Sequence, residues 1–144
     1  RQVERWYAES CGNAALGAIL KDILDTPVSP ELLPADGEKI TQKTEDLVGP
    51  YELHDFFLYY LLRYGFTPGK IFRMACYAFR GEHDEKTIAH WLKRCCQRFF
   101  TQQYKRSCMP DGPMIGPLSL SPRSAWRMPS DCWHTAWDQE LEAL

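Results

Sequence analysis

Lys105 and Arg106 stand side by side where a regular stretch, "EKTIAHWLKRCCQRFFTQQY", gives way to "SCMPDGPMIG". Arginine offers a planar fork and lysine a point charge, so this pair can hold a phosphate or a carboxylate. Arg123, Trp126 and Arg127 lie further along and could add cations and a stacking face. The plainer reading is that Lys105 and Arg106 are solvated charges complementing the negative end of a helix dipole. Spacing alone leaves both readings open.

The other chemistry-bearing residues point to structure. Glu45, Asp46, Glu52 and Asp55 gather where a helix should begin, and acids there complement its dipole. His54 lies off the apolar stripe, His83 and His90 are separated by a span of seven, and His134 is isolated. No His-x-x-x-His pair exists, so no metal site is expected. The six cysteines contain no Cys-x-x-Cys pair. Cys95 and Cys96 would point about 100° apart on a helix, which chelates poorly. Cys76 and Cys95 fall on apolar stripes, where a free thiol acts as a small hydrophobe. Reduced, structural cysteines and a cytoplasmic setting are the expectation. No Walker loop, dinucleotide-binding glycine fingerprint or nucleophile motif is present, so no catalytic residue is assigned.

The elements that would position Lys105 are helical. Apolar residues recur at Tyr51, Leu53, Phe56, Phe57, Tyr60, Leu61 and Tyr64, with Pro50 at the start and Gly65 at the end. A second stripe, Ile71, Met74, Ala75, Ala78 and Phe79, follows Thr67 as cap. A third, Ile88, Trp91, Leu92, Cys95 and Phe99, follows Asp84. Asn13 should cap a short helix carrying Leu16, Ile19, Leu20, Ile23 and Leu24, and Asp131 a terminal one. "PLSLSP" alternates briefly but is fenced by prolines, so it is at most an edge strand.

The expected fold is mainly α, a cluster of about five helices with a long proline-rich irregular arm. Helices over 1–28 precede a lid-like loop over 29–49, a helical cluster over 50–104, the arm over 105–130 and a terminal helix over 131–144. The chain has 144 residues, 44% of them hydrophobic, which suits one domain with a real core. A net charge of −2 argues against a nucleic-acid binder driven by overall charge. No apolar run approaches the roughly 18 residues of a membrane span. The chain opens on Arg1 rather than methionine, which suggests a piece of something longer.

Two tracts carry a resemblance. "ILDTPVSPELLPADGEKITQKTEDLVGPYELHDFFLYYLLRYGFTPGKI" and "RFFTQQYKRSCMPDG", with "LSLSPR" and "WRMPSD" beyond, are similar to the C-terminal region of bacterial glutamine-dependent NAD(+) synthetases. The resemblance covers nearly the whole chain. It implies a parent enzyme in which a glutaminase domain releases ammonia. A synthetase core then adenylates deamido-NAD with ATP and magnesium, and ammonia displaces AMP. The family's SGGxDS-type loop and its glutaminase residues are absent here, so a non-catalytic C-terminal fragment, binding no cofactor alone, is implied.

By the same resemblance, 29–49 matches a mobile loop that closes over the nucleotide site, and Lys105 matches the lysine that contacts deamido-NAD. Arg106, Arg123 and Trp126 are secondary candidates for the same substrate. Implied partners are the rest of the polypeptide, further copies in a homo-oligomer and deamido-NAD. One departure stands out: the family reads arginine, glycine, aspartate, tryptophan where this chain has Arg123, Ser124, Ala125 and Trp126. The competing readings are a purely structural oligomerisation module and, more weakly, a small nucleic-acid-binding helical domain.

Overall fold

Helix signals in the sequence become helices, and Asn13 and Asp84 cap two of them with their side chains. The computed structural model describes residues 2–26, 45, 48–110, 112, 114, 116–117, 119–123 and 125–144, and these form seven helices and no strand. The expected 29–49 loop lies outside the described residues apart from Glu45, Val48 and Gly49.

Residues 1–47 form one unit and residues 48–144 another. In the first, α1 (Gln2–Ser10) pairs with α2 (Ala14–Asp25). Asn13 caps α2, its side chain accepting the Leu16 N–H at 3.1 Å. The helices approach closely because Gly17 has no side chain: a Cβ there would lie 2.7 Å from the Ala8 carbonyl oxygen. Val3, Trp6, Tyr7, Ile19 and Ile23 remain exposed.

The second unit holds α3 (Tyr51–Tyr64), α4 (Pro68–Ala78), α5 (Glu85–Thr101), the short α6 (Gln103–Ser107) and α7 (Thr135–Glu142). Its core joins Leu53, Phe57 and Leu61 of α3, Ile71 and Ala75 of α4, and Leu141 of α7 to Ile88, Leu92, Cys95, Cys96 and Phe99 of α5. Each large apolar side chain so buried contributes about 1.5–3 kcal/mol. Helix α5 is the central strut, meeting α3, α4, α6 and α7. That centrality explains why Cys95 and Cys96 are both buried although they diverge around the helix. Burial pushes the Cys95 thiol up to about 12 and raises Cys96 as well, so neither offers a thiolate at neutral pH. All six cysteines are free thiols.

The caps divide into expected and unexpected. Asp84 caps α5 by accepting the Thr87 N–H at 3.0 Å. Hydrogen bonds from Thr87 hold this carboxyl below its ordinary range. Gly65 closes α3 in the left-handed conformation, φ 63°, as a non-glycine residue would do only at a cost.

Thr67, expected to cap α4, makes no such bond. Its hydroxyl instead donates to Glu140 Oε1 at 2.8 Å, and the same oxygen accepts the Gly69 N–H at 3.1 Å. A residue 71 positions away therefore caps α4 and ties α7 to it. A Cβ at Gly69 would stand 2.6 Å from that oxygen, so a larger residue would push the carboxylate off its cap.

Asp131 does not cap the last helix. A turn from the Pro129 carbonyl to the Cys132 N–H intervenes, and α7 begins after His134. The long helix expected from Asp84 onward also breaks at Gln102, φ −101° and ψ 17°, leaving α6 as a separate turn.

Replacing Glu140 by Ala should cost about 1 kcal/mol, the value of a lost helix cap, whereas Gln should retain most of it. Chemical denaturation of the two variants measures the difference.

Candidate functional site

The site is built on the end of α5. Phe99 is 5% exposed and closes the apolar stripe of that helix. Four groups converge on its ring. The Arg106 guanidinium lies over it, 4.5 Å from the centroid. Trp126, from the arm, meets it edge-on at 5.8 Å. Phe100 crosses it at 5.4 Å, and Trp137 of α7 lies nearly parallel at 6.4 Å. Phe100 in turn stacks on His134, which pairs with Asp138 at 2.8 Å. Such edge and stacked contacts each contribute about 0.5–1.5 kcal/mol beyond buried area.

Arg106 is therefore turned inward. Its Nη2 donates to the Phe99 carbonyl and to Gln103 Oε1. Burial lowers its pKa, but an arginine stays charged in proteins. Its Nε and the Trp126 Nε1 are buried without a hydrogen-bond partner among the described residues.

Lys105, the neighbour, is exposed, and no carboxylate among the described residues lies within 4.0 Å of its ammonium. The adjacent cations thus have opposite fates: one anchors the short helix, the other faces solvent.

Arg123 donates from Nη1 to the Met109 carbonyl, which holds the two ends of the arm's first loop together. Ser121 shapes the turn that follows. Its carbonyl accepts the Ala125 N–H at 3.1 Å and the Trp126 N–H at 3.0 Å. Trp126 is half-buried and Arg127 exposed. Of the four candidates, Arg106 and Trp126 meet at Phe99, Lys105 projects beside them, and Arg123 braces the arm.

Of the four acids expected near the start of α3, Glu52 lies in its first turn and Asp46 lies outside the described residues. Glu52 in its first turn takes His83 Nε2 at 3.1 Å, and His54 bonds the Val48 carbonyl. Among the described residues no group of three His, Cys, Asp or Glu side chains is placed to hold a metal ion.

Gln103 is the residue that sequence reasoning missed. It is 1% exposed, the one buried polar side chain among the described residues. Its Nε2 donates to the Met128 carbonyl at 3.3 Å, latching the arm to α6. A signal was present: Gln103 falls four residues after Phe99, on the continuation of the Ile88, Leu92, Cys95, Phe99 stripe.

Comparison with known proteins decides the family. The chain is 40% identical to the glutamine-dependent NAD(+) synthetase of Mycobacterium leprae, over 96% of this chain. It is 38% identical to the enzymes of the same name from Mycobacterium bovis and Mycobacterium tuberculosis, over 88%. The chain belongs to the glutamine-dependent NAD(+) synthetase family. It spans 23% and 21% of the length of these synthetases, so it corresponds to one segment of them. No protein-family model matches it.

Truncating Phe99 to Ala should destabilise the 48–144 unit by about 3–5 kcal/mol, the range for a buried phenylalanine. Trp133, 86% exposed, is the control, and its Ala variant should stay within about 0.5 kcal/mol of the parent. Urea midpoints with an unchanged slope are the readout.

Proposed function

We propose that this segment is an accessory helical wall of a glutamine-dependent NAD(+) synthetase, an enzyme that amidates deamido-NAD to NAD with ATP and glutamine-derived ammonia. Its part is to meet deamido-NAD, with Lys105 as the contact. The catalytic groups come from the rest of the polypeptide, so the segment alone makes no NAD. The observation that carries this reading is the solvent-facing ammonium of Lys105, set on a helix end whose other cation is spent internally. Deamido-NAD bears a pyrophosphate and a nicotinate carboxylate. A fixed cation near either lowers the cost of bringing ATP's charge alongside. Arg123 and the Trp126 ring support the same arm and would act on the substrate only through it. Magnesium serves the adenylation step in the parent enzyme. The described residues offer no cluster suited to it. A cytoplasmic homo-oligomer is the setting we infer.

A second, structural reading has its own support. Tyr59 and Tyr64 of α3 and Tyr77 of α4 are 51%, 52% and 76% exposed, an aromatic display suited to assembly.

Replacement of Lys105 by Ala in the intact synthetase separates the two. Loss of a charge-assisted bond should raise the KM for deamido-NAD about 10- to 100-fold while assembly is kept. An unchanged KM with altered assembly would favour the structural reading.

A further inference from the structure

Helix α6 is only five residues long and has no side-chain cap at its start. Helices this short are not stable by themselves in water. The direction in which Lys105 leaves the surface must therefore be set by contacts outside α6.

Those contacts run through Gln103. A carboxamide at 1% exposure has to find its partners inside the protein. The Met128 carbonyl can only accept and the Arg106 guanidinium can only donate. The amide can thus be oriented one way: NH2 toward Met128, oxygen toward Arg106. Arg106 carries the link on to the Phe99 carbonyl and ring. The backbone carbonyl of Gln103 also accepts the Ser107 hydroxyl at 3.3 Å.

Helical geometry converts this latch into an orientation. Positions 103 and 106 lie on one face of the turn, three residues apart. Positions 104 and 105 fall about 100° and 200° around from Gln103. Tyr104 is accordingly 58% exposed and Lys105 exposed beside it. Holding Gln103 inward holds Lys105 outward.

We propose that Gln103 is a positioning residue for Lys105: its carboxamide fixes the rotation of α6 against the arm and so aims the ammonium at the substrate. This rests on the reading of Lys105 as the deamido-NAD contact. Gln103 touches no reacting atom and acts only through its neighbour.

The test is a double-mutant cycle in the intact synthetase, reading kcat and KM for deamido-NAD in Gln103→Met, Lys105→Ala and the double variant. Methionine preserves the volume of glutamine and removes both side-chain bonds. Lys105→Ala should raise KM as stated above. Gln103→Met should raise it about 3- to 10-fold with a smaller change in kcat, and should add nothing in the Lys105→Ala background. An equal effect of Gln103→Met in both backgrounds, or none where Lys105→Ala has one, overturns the positioning role and leaves the Lys105 reading intact. No KM change in Lys105→Ala overturns both. Should Gln103→Met fail to fold, Gln103→Glu keeps an acceptor for Arg106 and replaces the donation to Met128 by repulsion between two acceptor oxygens. It must then show the same dependence on Lys105.

Discussion

The ring of Phe99 is the contact on which the candidate site depends. It ends the apolar stripe of α5 and is touched by α6, α7 and the arm. A helix of five residues is not stable by itself, and the described residues of the arm beyond it belong to no helix or strand. Their geometry is borrowed from a helix that is itself anchored by Ile88, Leu92, Cys95 and Cys96 in the core. The cost of this arrangement shows in two buried nitrogens, Arg106 Nε and Trp126 Nε1, that find no acceptor among the described residues.

The site separates two cations that sequence spacing cannot distinguish. Adjacent residues on a helix point about 100° apart, so one can turn inward while the other stays in water. Arg106 takes the inner place because a planar guanidinium can lie on a ring and donate to two oxygens at once. A lysine there would present a strongly hydrated point charge to an aromatic face. Lys105, with its flexible stem, suits the outer place. At Ala125 the backbone N–H closes the turn onto the Ser121 carbonyl.

The helices were legible because their signals are local. Stripes at 3.6-residue spacing, the caps Asn13 and Asp84, and Gly65 are each complete within a few residues. What the sequence concealed is long-range. The cap of α4 comes from Glu140, and nothing near Thr67 announces it. Asp131 has the residue type of a cap, but a turn separates it from α7. The break at Gln102 went unseen because "FFTQQY" has ordinary helix formers throughout. Arg106 and Gln103 shared the difficulty: an inward polar side chain is recognised by its partners, and here those partners include Phe99 and the distant Met128.

Under the proposed function, Lys105 is an accessible ammonium that deamido-NAD covers in the assembled enzyme. Amine-specific acylation of the intact synthetase, followed by peptide mass spectrometry, measures that accessibility residue by residue. Lys105 should be acylated readily in the free enzyme and protected when deamido-NAD is saturating, while exposed Lys93 reacts alike in both. Equal acylation of Lys105 with and without deamido-NAD would contradict the account.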